Sequence, residues 1–130
     1  AAGADLALLI VASLPGERLD HLYATATSLG LTVLVEVHDE VETERAVALG
    51  AELIGVNARN LKTLQVDPDT FGRLVQGIPA DRVPVAESGI SGVEDAARYF
   101  NEGAKVILVG EALVKDGDPA GAVRALRGVS

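Results

Sequence analysis

Five short apolar runs recur along the chain, each followed by polar residues. "LALLIV" comes after Gly3, "LTVLVEV" after Gly30, "ELIGVN" after Gly50 and "KVILVG" after Gly103, while "RVPVAE" is reached through "GIPAD". A glycine just past a helix relieves the left-handed backbone position there. Taken to start at residues 5, 32, 52, 83 and 105, the runs are spaced by 27, 20, 31 and 22 residues. Each gap holds one helix and two loops, which predicts parallel strand–helix units. Helix starts are signalled too. Asp39 with Glu42, and Ser91 with Glu94, have capping-box spacing, and Asp67-Pro68 and Asp118-Pro119 put an acid before a first-turn proline. In "GERLDHLYATATSLG", Leu19, Leu22, Ala26 and Leu29 share one helical face. No linker or low-complexity tract interrupts the pattern, so a single α/β domain is expected over residues 1–130. The opening "AAGADLALLIV" reads as a helix end running into a strand, the expectation for a segment of a larger domain.

The polar residues sit at one end of every strand. "VLVEVHD" finishes with Glu36 and His38, "LIGVNARN" with Asn57 and Arg59, "VPVAESG" with Glu87, Ser88 and Gly89, and "VILVGEA" with Gly110 and Glu111. In parallel α/β folds that edge is where ligands bind. Period-two alternation puts Leu34, Glu36 and His38 on one side of their strand and Val33, Val35 and Val37 on the other. Gly55 shares a side with Asn57, and Val83 and Val85 share one with Glu87. One face therefore carries a converging carboxylate–amide–carboxylate set. Gly89 and Gly110 lie in neighbouring strand-exit loops ahead of helical patterns, a setting in which backbone amides hold phosphate. "EALVK" fits the short extra helix that faces phosphate in such sites. His38 reads as a solvated or satisfied loop histidine rather than a base, and Glu40, Glu42 and Glu44 as a solvated first helical turn. Asp67, Asp69 and Asp81 read as caps and turns.

Composition narrows the chemistry. Two Tyr, two Phe and no Trp or Met leave an aliphatic core, which suits strands buried on both faces. A net charge of -8 without a basic run argues against nucleic acid or an anionic membrane as partner. Absence of cysteine removes thiolate chemistry, and two isolated histidines make a zinc site an unfavoured reading. With no stretch of transmembrane length and no signal-like start, a cytoplasmic protein is expected.

"LLIV", "TVLVEVHDE", "LIGVNARNL", "VAESGI" and "VILVGEAL", in this order, resemble the C-terminal part of bacterial indole-3-glycerol phosphate synthase, from near residue 3 to near residue 126. Phosphoribosylanthranilate isomerase and the tryptophan synthase α chain are the fallback relatives. The resemblance implies barrel strands four to eight of a TIM (β/α)8 barrel, hence five parallel βα units of an incomplete barrel. It implies a phosphorylated small-molecule substrate, 1-(2-carboxyphenylamino)-1-deoxyribulose 5-phosphate, closed to indole-3-glycerol phosphate with loss of CO2 and water, and neither organic cofactor nor metal. By motif, Glu36 matches the family's catalytic base, Asn57 the amide that orients the intermediate, Arg59 an anion-holding arginine and Glu87 the second active-site glutamate. Ser88, Gly89, Gly110 and the backbone of Glu111 match the phosphate cradle. Some relatives carry Ser at the position of Glu111, so only its N–H is carried over.

The resemblance also implies what this stretch lacks: the first three strands and the family's catalytic lysines. Lys105 begins its strand, at the wrong end, and Lys62 and Lys115 lie beyond strand exits. The chain alone is therefore expected to be inactive and dependent on an N-terminal barrel part. The other reading is a non-catalytic α/β module with residual phosphate binding. Five strands of eight would leave the runs at 5–11 and 105–109 as open edges and the inner face, with Leu34, Leu53, Val83, Val85 and Leu108, bare. Self-association would cover them. A rearranged, open flavodoxin-like doubly wound sheet, with the first strand moved inside, is the alternative.

Overall fold

The computed structural model describes residues 6–60, 62–87, 93–109 and 112–115. Strands β1 (Leu6–Ile10), β2 (Thr32–Val37), β3 (Leu53–Asn57), β4 (Val83–Glu87) and β5 (Val106–Val109) alternate with helices α1 (Gly16–Ser28), α2 (Glu40–Leu49), α3 (Thr70–Val75) and α4 (Val93–Glu102), and β6 (Ala112–Lys115) closes the series. The five predicted strands all form. They pair in parallel and in chain order, β1-β2-β3-β4-β5, with β6 added antiparallel to β5.

Sequential order excludes the flavodoxin-like alternative, which needs the first strand inside the sheet. The helices confirm this, because all of them pack on one face. Leu19 and Ala26 of α1, Ala46 of α2, Phe71 and Leu74 of α3 and Tyr99 of α4 join Val33, Val35, Val37, Ile54, Val56, Ala86 and Ile107 in one hydrocarbon cluster. Phe71 meets Tyr99 edge-on, with ring centroids 5.5 Å apart. Burying each Val, Leu, Ile or Phe side chain among them contributes roughly 1.5–3 kcal/mol. The fold is thus an incomplete α/β barrel.

The opposite face holds a smaller cluster of strand residues alone: Leu34, Val85 and Val106, packed by Leu6, Leu53, Val83 and Leu108. The expectation that this face lies bare is corrected, since Leu34 and Val85 are 1% and 0% exposed. Its side chains cover one another. Exposure concentrates at the β1 edge, where Leu8 is 47% exposed.

Several local expectations shift. A second open edge is expected at 105–109, but β6 pairs with that strand, so β5 is not an edge. Within "EALVK", the described residues Ala112–Lys115 form this strand rather than a helix, with Ala112 opposite Val109 and Lys115 opposite Val106. A short apolar segment two residues past an unpaired strand satisfies its backbone groups more cheaply by pairing than by nucleating one isolated turn. Asp39 caps α2 as predicted, its Oδ1 accepting from the N–H of Glu42 at 2.8 Å. Asp67 instead forms a turn before α3, accepting from the N–H of Asp69 at 3.0 Å, and the helix begins at Thr70. In α1, Leu19 and Ala26 are buried and Leu22 half-buried, but Leu29 is 70% exposed at the C-cap, beyond the face that meets the sheet. Gly30, Gly50 and Gly103 all take positive φ, as their places after helices predict. Gly3, Ser91 and Asp118-Pro119 lie outside the described residues.

Candidate functional site

Parallel register arranges the inner face in rows. Above the entry pair Leu6–Thr32, one row runs Leu8–Leu34–Leu53–Val83, the next Ile10–Glu36–Gly55–Val85–Val106, and the uppermost Asn57–Glu87–Leu108. Hydrocarbon thus gives way to polar groups within two rows of the C-terminal edge. Glu36 and Glu87 stand two strands and one row apart, and Gly55 lies between them.

That glycine lets the carboxyls meet. A Cβ at position 55 would overlap Glu87 Oε2 and sit 3.0 Å from Glu87 Cδ and 3.1 Å from Leu34 Cδ1. The Glu87 side chain occupies the space that any other residue would fill. Both glutamates are 4% exposed. Two ionised carboxylates about 4 Å apart repel by about 4 kcal/mol even at an effective dielectric of about 20, and burial penalises each charge separately. One proton between them relieves both costs. Accordingly Glu87 is pushed up to about 9, first by burial and then by its hydrogen bond with, and the charge of, Glu36. The pair therefore keeps a proton on Glu87 at neutral pH. It offers a base and an acid side by side, the arrangement that acid–base catalysis uses.

Asn57 stands at the top of β3 in register with Glu87. Its Oδ1 accepts from the N–H of Arg59 at 2.9 Å. The following loop is tightly built. Arg59 bridges Val66, Asn60 Oδ1 accepts from the N–H groups of Lys62 and Thr63, and Leu64 turns the chain at φ 62°. The Leu64 carbonyl accepts from Arg59 Nη1 at 2.9 Å, so this loop, exposed to solvent, holds the guanidinium. Arg59 and Asn57 line an open cleft of about 510 Å³, together with His38, Glu42, Lys62 and Arg73.

Two readings from the sequence are corrected. Of the two readings of His38 the solvated one falls and the satisfied one stands: its side chain is 14% exposed and sits between two carboxylates, with Nε2 3.3 Å from Glu36 Oε2 and Nδ1 3.2 Å from Glu42 Oε1. Glu42 is not simply a solvated first-turn acid, since its carboxylate also accepts the backbone N–H of His38 at 2.8 Å. Period two already put His38 on the same side as Glu36, and the capping box already fixed Glu42; what the sequence withheld was that the two devices touch. Gly55 was placed on the site face, but its role as the vacancy for Glu87 was missed. A glycine inside an otherwise aliphatic strand was the available signal.

The structure brings together Glu36, Glu87, Asn57 and Arg59 at one edge. Ser88, Gly89, Gly110 and Glu111 lie outside the described residues. Lys105 is at the opposite edge, its Nζ donating to the carbonyls of Ala80 and Arg82, each at 3.2 Å. Among the described residues no group of three or more acidic or histidine side chains could hold a metal ion, and no helix is long and apolar enough to cross a membrane.

Solved structures share the fold. A thiamine phosphate pyrophosphorylase from Pyrococcus furiosus superposes with a TM-score of 0.61 at 22% identity, over 95% of this chain and 58% of that one. A mandelate oxidase bound to benzoyl-formic acid gives 0.58, also at 22% identity, over 74% of this chain and 29% of the other. Sequence relatives are nearer. The indole-3-glycerol phosphate synthase of a Nocardioides species is 69% identical over 99% of this chain and 50% of its own length. Indole-3-glycerol phosphate synthase 1 of Streptomyces coelicolor is 60% identical, over 95% and 46%. The chain therefore spans about half the length of the relatives it matches. The family profile described as indole-3-glycerol phosphate synthase matches residues 1–126, and on that match the chain belongs to the indole-3-glycerol phosphate synthase family.

Proposed function

We propose that this chain supplies the C-terminal five strand–helix units, barrel strands four to eight, of an indole-3-glycerol phosphate synthase, and with them one half of its active site. The observation that carries this reading is the buried carboxyl pair of Glu36 and Glu87 beside Asn57 at the C-terminal ends of neighbouring parallel strands. The substrate is 1-(2-carboxyphenylamino)-1-deoxyribulose 5-phosphate. Ring closure joins the aryl carbon to the ketone carbon, the carboxyl group leaves as CO2 and the former ketone oxygen leaves as water. Glu36 takes the proton in the dehydration. Glu87, neutral, donates a hydrogen bond to the intermediate, Asn57 orients it and Arg59 holds an anionic substrate group. Ser88, Gly89, Gly110 and the Glu111 N–H bind the phosphate. No metal or organic cofactor takes part.

In this reading the general acid is a lysine from the N-terminal part of the barrel, which pairs with the open edge of β1. Without that part, the same edge is where a second copy would associate. The complete enzyme works on a soluble metabolite in the cytoplasm.

The test is reconstitution. The 130-residue chain is assayed for indole-3-glycerol phosphate by fluorescence, alone and mixed with the separately expressed N-terminal half of the Nocardioides relative. Alone it turns over nothing detectable, and the mixture is active. Glu36→Gln lowers the mixture's rate by about 10² to 10⁴-fold, the range for a positioned acid–base group. Turnover by the chain alone, or a mixture indifferent to Glu36→Gln, overturns the assignment. An inactive mixture in which inorganic phosphate still shifts the Ser88, Gly89, Gly110 and Glu111 amides in an NMR titration favours the non-catalytic module.

A further inference from the structure

Glu36 and Glu87 are equally buried, yet their surroundings differ. Glu36 Oε2 has the His38 ring at 3.3 Å, whereas Glu87 Oε2 has no hydrogen-bond partner among the described residues. His38 is itself clamped from behind. Glu42 Oε1 accepts its backbone N–H at 2.8 Å and lies 3.2 Å from Nδ1, and Glu42 is in turn fixed by Asp39 at the α2 N-cap. Side-chain exposure falls along this line, from 16% at Glu42 through 14% at His38 to 5% at Glu36.

We infer that His38 is a positioning residue that breaks the symmetry of the buried pair, holding the negative charge on Glu36 and leaving the shared proton on Glu87. Both ring nitrogens face carboxylate oxygens, and a doubly protonated ring presents an N–H to each. Its Nε2 approaches Glu36 within ion-pair distance but without the alignment of a hydrogen bond, so the coupling is one of charge. A cation beside one carboxyl favours the ionised form of that one. The raised affinity of Glu87 for its proton agrees, with burial as the larger cause and Glu36 as the next. The other charges lining the cleft with His38 are Arg59, Lys62, Arg73, Asp39 and Asp67. Solvent and salt in this open cleft screen them, while the buried pair is screened much less. The consequence for catalysis, that Glu36 is the base and Glu87 a neutral hydrogen-bond donor, rests on the proposed synthase reading; the charge distribution does not.

The experiment is a 13C NMR titration of the glutamate carboxyl carbons in the 130-residue chain, in wild type, His38→Gln and Glu42→Gln. In wild type at pH 7, Glu36 Cδ is expected at the ionised end of the carboxyl range and Glu87 Cδ at the protonated end. His38→Gln moves both toward the midpoint, and Glu42→Gln, which unclamps the ring, moves them the same way by less. If His38→Gln does not fold, as its amide spectrum would reveal, Glu42→Gln decides. An even distribution in wild type, or an unchanged one in a folded variant, overturns the inference. An inactive reconstituted enzyme whose carboxyl pair keeps the expected asymmetry would count against the synthase reading alone.

Discussion

The same strands present two different faces. Outward, Val33, Val35, Val37, Ile54, Val56 and Ala86 meet four helices in a continuous hydrocarbon core. Inward, the rows turn from Leu34 and Leu53 to Glu36, Asn57 and Glu87 within two residues along each strand. Every group on the outer face lowers its free energy by leaving water. On the inner face two carboxyls are buried although burial raises their free energy, and a proton, a histidine and a missing Cβ are needed to hold them. The contrast separates what stabilises this fold from what equips it for chemistry.

The largest expected effect lies on the outer face. Phe71 is fully buried and is stacked edge-on against Tyr99. Phe71→Ala should cost about 3–5 kcal/mol in urea melts, a large part of a typical 5–15 kcal/mol, with no change in how stability depends on pH. A loss below about 1 kcal/mol would mean that α3 contributes little to the core.

The inner face should show its cost in the pH dependence. Glu87 binds its proton more tightly folded than unfolded, its value rising from 4.5 to about 9. The native state therefore holds an extra proton between these values. Its contribution is full below about 4.5, declines as pH rises and is gone above about 9, with a slope of at most about 1.4 kcal/mol per pH unit. Glu87→Gln should flatten this slope and leave the variant more stable than wild type at alkaline pH. An unaltered slope in melts from pH 5 to 9 would remove the buried proton from the picture.

A smaller effect sharpens the geometric half of the comparison. Replacing a strand glycine by alanine ordinarily helps, because the unfolded chain loses freedom. At Gly55 the added methyl meets Glu87, and overpacking of this kind costs roughly 1–3 kcal/mol. Gly55→Ala should destabilise in wild type and do so far less on a Glu87→Ala background. A double-mutant cycle in urea measures the coupling, and additivity of the two changes would show that position 55 does not shape the pocket for the carboxyl.

Much of the fold is legible in the sequence. Apolar runs, glycines after helices and the Asp39 cap fixed five parallel strands and most helix positions, because each depends on residues close in sequence. Period-two alternation placed Glu36, Asn57 and Glu87 on one face. Failures came where distant segments compete or combine. "ALVK" carries too little local signal to choose between strand and helix, and the unpaired edge of β5 chose for it. Leu29 sits on the apolar stripe of α1 by spacing, but the sheet ends before reaching it. Glu42 and His38 each satisfied a local rule, which hid their contact. That the strands stay in chain order with every helix on one side, that Gly55 accommodates Glu87, and that two carboxyls on strands two apart share one proton were decided by tertiary structure, because these facts depend on lateral register and on exclusion of water, which no single segment specifies.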